Sequence, residues 1–242
     1  SMDLALDPSV AASYKNPAQR ARVITEHWAA ANLFCPACTA DYLAPLPPNT
    51  AVADYLCPNC TAKYQLKSKS GSFGRSVANS AYHPKILGIQ NGQVPNYVFL
   101  RYSLLSWMVV DLFIIPGHFF TPAIIEKRPP LPPTARRAGW IGSNILLRAL
   151  PSDARVVVVS DEQAVPPEDV RNAWSQFAFL EAGFILKEDI IKAQWNTQTE
   201  GLWANLSRDK NFLLIMHEHL YVFRKPQPGE KTRSYHESMR WW

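Results

Sequence analysis

This sequence predicts a mixed α/β fold, short strands flanked by helices around a four-cysteine metal knuckle, and three observations carry the expectation. Strand-length runs of aromatic and β-branched residues alternate with helix-type stretches. The four cysteines form two matched C-x2-C pairs. Of the 242 residues, 47% are hydrophobic and 19% charged, enough to bury a core and too apolar for long disorder.

The first helix is expected over residues 17–31. Asn16 can cap it, Pro17 suits the first helical position, and Ala21, Ile24 and Trp28 recur on one face. Cys35-Pro-Ala-Cys38 follows, then a loop with Pro45, Pro47 and Pro48. Strands are expected over 52–56 and 63–69, with Cys57-Pro-Asn-Cys60 as the turn between them. Residues 70–80 read as a Ser/Gly-rich loop, and 97–102 and 107–115 as further strands, the second ended by Pro116-Gly117. A proline-rich loop over 129–137 ends in Arg136-Arg137. Residues 155–159 read as a buried strand, and a helix starts just after Pro166-Pro167 and runs to about residue 182. Residues 213–223 read as a strand pair or one long strand, and the polar tail from Lys225 as mobile. No internal repeat is visible.

The formal net charge of +5 suits an anionic partner, a property shared with many proteins of other roles. The most apolar stretch, 104–120, holds Asp111, Pro116, Gly117 and His118 and is too short to span a bilayer, so no membrane partner is expected. The opening residues lack the basic-then-apolar profile of a secretory signal, so a cytoplasmic location is expected. In that setting the cysteines are read as thiolate ligands before disulfides.

Two residues between cysteines let both sulfurs turn toward one point. Cys35, Cys38, Cys57 and Cys60 can then complete a tetrahedral zinc site. A redox role would need only one pair, and four unrelated buried thiols would seldom fall into two matched pairs. All four ligands are protein, so the zinc is expected to be structural, and a zinc-dependent hydrolase is excluded.

Asp54 lies three residues before Cys57, and Gln65-Leu66-Lys67 follows the second knuckle. A hairpin turning at Cys57–Cys60 would carry Asp54 outward, with Gln65 and Lys67 on one face of the return strand. Phosphodiester hydrolysis needs these residue types. Asp54 offers magnesium a hard oxygen anion, Gln65 a neutral carbonyl oxygen, and Lys67 a charge for the attacking water or the phosphate. Taken alone, this pattern also suits a solvated hairpin.

The context narrows that choice. Ala21-Arg-Val-Ile-Thr-Glu-His-Trp28, the two knuckles, Val52-Ala-Asp54, Leu66-Lys-Ser-Lys69 and Pro133-Thr-Ala-Arg-Arg-Ala-Gly-Trp-Ile-Gly142 stand in one order. With these pieces, residues 14–160 resemble the catalytic domain of the DpnI-like, Dam-replacing family of type II restriction endonucleases. The resemblance implies a restriction-endonuclease-like PD-(D/E)XK core, a mixed sheet flanked by helices. It implies magnesium-dependent cleavage of double-stranded DNA at GATC carrying N6-methyladenine, with zinc in the knuckles. It implies Asp54, Gln65 and Lys67 as the catalytic set, with Asp54 and Gln65 on the magnesium. It also implies Lys69, Arg136, Arg137 and Trp140 as DNA contacts, the arginines on phosphate or guanine and the indole on methyl groups. Phosphate positioning alone for the arginines, and a core place for the tryptophan, remain open.

Two departures stand out. The family's usual acidic residue is Gln65 here, which leaves open a catalytically weak or inactive module that binds methylated DNA. Glu26 is a candidate for compensating charge, though a surface glutamate is the plainer reading. The family's winged-helix domain is not recognisable either. Residues 1–182 are therefore read as the nuclease domain and 183–242 as an appendage. Within it, Gly183-Phe-Ile-Leu-Lys-Glu-Asp-Ile-Ile191 and His217-Glu-His-Leu-Tyr-Val-Phe-Arg-Lys-Pro226 resemble the closing strands of DNA amino-methyltransferases. A glycine-rich cofactor loop and an Asp-Pro-Pro-Tyr-type motif are both missing, so no methyl transfer is expected.

Overall fold

The Asn16 side chain accepts from the amides of Ala18 and Gln19, and Pro17 opens helix α1 (Pro17–Asn32) as the sequence predicts. The computed structural model describes residues 2–48, 50, 52–151, 154–181, 185–193 and 217–224. The chain divides into two compact units, Ser1–Ser175 and Gln176–Trp242.

In the first unit, α1 buries Ile24, Thr25, Trp28 and Ala29. Short strands β1 (Ala44–Pro45) and β2 (Tyr55–Leu56) lead into β3 (Lys63–Lys69). Strand β4 (Val77–Ala81) and helix α2 (Tyr82–Gln90) come next, then β5 (Asn96–Tyr102) and β6 (Val109–Ile115). Strands β7 (Ile125–Pro130), β8 (Ile141–Ile145), β9 (Val156–Ser160) and β10 (Gln163–Ala164) precede helix α3 (Pro167–Glu181), whose residues from Gln176 fall to the second unit. A mixed sheet runs in the order β1-β2-β3-β5-β6-β9-β10, and a smaller antiparallel sheet runs β4-β8-β7. Only β3 and β5 pair in parallel within the larger sheet, with Gln65 beside Tyr97 and Lys67 beside Phe99. The segment between them, β4 and α2, is the crossover that a parallel pair requires.

The core lies along the central strands, where Tyr97, Val98, Phe99, Leu100, Leu112 and Ile114 are buried. Helix α1 is fixed to this sheet by polar contacts as well as packing. The hydroxyls of Thr25 and Ser68 lie 2.9 Å apart, and Tyr55 Oη donates to the Glu26 carbonyl at 3.0 Å. On the other face of the strands, Phe73 meets the rings of Phe99 and Phe113 edge-on.

Several expectations are corrected. The Ser/Gly-rich stretch 70–80 ends inside β4, whose register against β8 pairs Val77 with Ile145. The proline-rich loop begins later than expected, because Pro129 and Pro130 complete β7 at an edge of the small sheet, where a missing amide is tolerated. The strand expected over 52–56 shrinks to Tyr55–Leu56, because Val52 takes a positive φ of 79°. The strand expected from 107 starts at Val109, since Trp107 also takes a positive φ, 50°. Helix α3 is described to Glu181; residue 182 lies outside the described residues.

In the second unit, β11 (Ile185–Ala193) pairs antiparallel with β12 (His217–Arg224), with a bulge between Leu186 and Glu188. Residues 213–216 of the expected strand and the tail from Lys225 lie outside the described residues.

Arg171 of α3 reaches across to the knuckle. Its Nε donates to the carbonyls of Cys35 (3.3 Å) and Cys38 (2.9 Å), its Nη2 to that of Ala40 (3.2 Å), and Nη2 also meets Asp41 Oδ1 at 3.2 Å. The guanidinium stands over the Phe34 ring, 5.3 Å from its centroid. A planar fork suits three carbonyls, and an ammonium cannot reproduce it. Arg171→Ala is expected to lower stability by about 2 kcal/mol, with Arg171→Lys recovering less than half of it, measured by urea unfolding.

Candidate functional site

The knuckle forms because each cysteine pair closes a tight turn. The amide of Cys35 donates to the Ala40 carbonyl and that of Cys57 to the Ala62 carbonyl, and Thr61 takes a positive φ of 59° where the second turn closes. The four Sγ atoms all lie within 4.8 Å of one another, with Cys35 and Cys60 at 3.7 Å and Cys38 and Cys57 at 3.4 Å. Tetrahedral zinc with bonds of about 2.3 Å places its sulfurs about 3.8 Å apart, so this cluster can hold a metal such as zinc. All four cysteines are free of disulfides. Burial works against ionising Cys57, but hydrogen bonds from the amides of Cys60 and Asn59, together with those of the Cys38 and Cys35 side chains, bring the thiol down to about 7. The Tyr64 hydroxyl lies 3.2 Å from Cys35 Sγ and ties β3 to the cluster.

From that anchored turn, the hairpin places Asp54 at the free edge of β3. The Asp54 amide donates to the Tyr64 carbonyl at 2.9 Å, and the Leu46 amide donates to the Asp54 carbonyl at 2.8 Å. Its carboxylate reaches one step further along the edge, where Oδ2 accepts from the Leu66 amide at 2.8 Å. Strand β2 has ended there, and the carboxylate takes the place of a missing strand partner.

Asp54 and Gln65 line one cleft of about 360 Å³, together with Arg22, Thr25 and Glu26 of α1 and the proline loop 45–48. Glu26 is thus a cleft residue, half-buried and paired with Arg22 Nε at 2.7 Å. Gln65 Oε1 is buried and has no hydrogen-bond partner among the described residues. Lys67 alternates onto the Gln65 side of β3. Burial lowers its pKa and the nearby Asp54 charge opposes that shift.

Sequence reading missed Lys85. It is the buried residue of α2, 8% exposed, and its Nζ donates to Tyr97 Oη at 2.5 Å. Burial pushes its pKa down to about 8, with the Lys67 charge adding to the effect. No local signal marked it, because Pro84 and Gly88 break up any helical pattern around it.

Lys69 is exposed at the end of β3. Arg136, Arg137 and Trp140 are outside the cleft, on the connection between β7 and β8. That connection is closed by bonds from the Leu131 amide to the Trp140 carbonyl and from the Gly139 amide to the Leu131 carbonyl. Trp140 is half-buried and not a core residue: its ring carries the Arg137 guanidinium 4.7 Å from the centroid and lies against Gly142. A Cβ at Gly142 would come within 2.6 Å of the indole, so only glycine admits this ring position.

The model of one known family matches this chain over residues 2–183, that of DpnI, the Dam-replacing family.

The purified protein is expected to carry one zinc per chain. Cys57→Ser should lose it and lower the melting temperature by about 10 °C or more, because ligand binding supplies folding free energy to the hairpin. Metal analysis paired with thermal unfolding checks this, and a fully folded, zinc-replete Cys57→Ser protein would contradict it.

Proposed function

The chain belongs to the Dam-replacing family, a family of methylation-dependent restriction endonucleases, and from that membership we propose that it cleaves double-stranded DNA with a divalent cation, magnesium first. The substrate of this reading is GATC with N6-methylated adenine, and the fold is the PD-(D/E)XK core. Residues 1–182 form the nuclease domain and 183–242 an appendage.

The observation that carries the reading is the buried Gln65 Oε1 with no hydrogen-bond partner among the described residues, on the strand whose free edge holds the Asp54 carboxylate. An oxygen left without a donor in a buried position costs about 1–3 kcal/mol unless something meets it. A hard cation that takes oxygen ligands meets both groups. Asp54 and Gln65 would hold it, and when bound it supplies charge neutralisation at the phosphate and activation of water.

The side chains do the rest. The Leu66 amide fixes one oxygen of Asp54, so the carboxylate is oriented before any ligand arrives. Lys67, on the same strand face as Gln65, offers its ammonium to the phosphate or to the attacking water. Lys69, Arg136 and Arg137 are exposed cations suited to the backbone of a duplex. Trp140, held by Gly142 and Arg137, offers apolar surface to methyl groups. A non-cleaving reader of methylated DNA is the second reading, and the neutral Gln65 is the feature that favours it.

Digestion of methylated and unmethylated duplexes with magnesium tests the proposal. The wild-type protein should cut the methylated duplex only. Asp54→Ala and Lys67→Ala should each lower cleavage at least about a hundredfold while binding persists. Either variant cutting at the wild-type rate would show the site to be misassigned.

In the same assay, Trp140→Ala is expected to cut the preference for methylated DNA by about tenfold, the scale of lost apolar contact at a base edge. An unchanged ratio of the two rates would reduce Trp140 to a support for its own loop.

A further inference from the structure

Helix α2 docks through a residue that helices seldom bury. Its buried side chain is Lys85, while Leu87 one turn-face away is 58% exposed. The Lys85 ammonium meets the Tyr97 hydroxyl, and its Nζ stands 5.1 Å from the Tyr97 ring centroid. Among the described residues no carboxylate pairs with it. A hydroxyl and a ring face do not compensate a buried cation, so its position needs an explanation beyond packing.

The neighbours supply one. Tyr97 lies beside Gln65 in the β3–β5 register, so Lys85 approaches the same side of the sheet as Gln65 and Lys67. It is near enough to Lys67 for the two charges to repel, and Asp54 is near enough to Lys67 to attract. Glu26 also faces the cleft, but Arg22 neutralises it. The formal charges are then Asp54 against Lys67 and Lys85, with Gln65 neutral, which leaves the site positive before any ligand arrives.

We propose that Lys85 makes metal binding at this site conditional on DNA, because its charge repels a divalent cation until a backbone phosphate enters and offsets it. This rests on the nuclease reading above. Metal and DNA then bind with positive coupling, and the coupling is reciprocal: whatever DNA adds to metal affinity, metal adds to DNA affinity. Lys85 is a positioning residue in this account. It acts through the field at the cation and need not touch the substrate. The coupling also keeps the uncomplexed protein from holding an armed metal site.

The test uses the full chain and two probes. Mn2+ binding to the protein alone is followed by electron paramagnetic resonance, with Asp54→Ala as the baseline. Binding of a fluorescent methylated duplex is followed by anisotropy, in EDTA and in Ca2+. Lys85→Met removes the charge at similar volume, Lys85→Gln removes it while keeping a donor for Tyr97, and Lys85→Arg keeps it. Met and Gln variants should each bind Mn2+ on the order of tenfold more tightly than wild type without DNA, and the Ca2+ enhancement of duplex binding should shrink. The Arg variant should match wild type. Gln65→Glu should also tighten Mn2+ binding, by restoring a negative charge from the other side.

Equal Mn2+ affinity in wild type, Lys85→Met and Lys85→Gln would overturn the proposal. So would a Gln variant that behaves as wild type while the Met variant does not, since that pattern reports the hydrogen bond to Tyr97 and not the charge. A wild-type protein that binds Mn2+ at Asp54 but cuts nothing would instead refute the nuclease reading, and the Lys85 comparison would still be readable.

Discussion

Cys35 and Cys38 follow α1, and Cys57 and Cys60 form the turn of the hairpin that begins β3; their four sulfurs gather within 4.8 Å. That convergence sets where everything else in the site can stand. It joins the end of α1 to the hairpin, and Arg171 adds α3 by holding the carbonyls of Cys35, Cys38 and Ala40. A two-residue strand such as β2 has little ladder of its own. Without the cluster, Asp54 would sit on a hairpin with too few hydrogen bonds to hold a carboxylate in one place.

The same constraint explains why the site lies at a strand edge. Strand β2 covers only the first part of β3, pairing Tyr55 with Tyr64 and Leu56 with Lys63. Beyond that pair the Leu66 amide would be an open edge, which sheets normally cover or pair. The Asp54 carboxylate satisfies it, and so one interaction both finishes the edge and orients the acid. Gln65 and Lys67 need no such device. They are carried by a strand whose other side is paired along its length with β5, and that pairing fixes which face they share.

Much of this was legible before the structure. The cysteine spacing pointed to a shared site, and the geometry brings all four sulfurs together. Asn16 and Pro17 marked the start of α1, and Pro167 begins α3 where the proline pair suggested. What was missed follows a common physical cause. Strands β4, β7 and β8 belong to a small antiparallel sheet whose exposed positions carry polar residues and prolines and whose buried positions include Gly142 and Ser143, so their alternation is weak. Helix α2 has Pro84 and Gly88 and buries a lysine, the reverse of an amphipathic pattern. Val52 and Trp107 adopt backbone angles that β-branched and bulky residues rarely take, and no propensity argument anticipates where tertiary contacts will enforce them.

The residues that resisted local reading are those around the proposed chemistry, and this is a consequence of what the chemistry asks. A buried amide oxygen with no partner and a buried ammonium against a hydroxyl each oppose folding taken singly. Together they are complementary: Asp54 and Gln65 present oxygens, Lys67 and Lys85 present positive charge, and the gap between them has the polarity of a phosphate bound beside a cation. The parallel pairing of β3 with β5 brings this about, because it sets Gln65 beside Tyr97, the hydroxyl that receives Lys85. A pairing slipped by one residue would turn Gln65 and Lys67 to the α1 face and leave Lys85 with no site to act upon. The register of that single parallel pair therefore decides both the core of the sheet and which charges gather around Gln65.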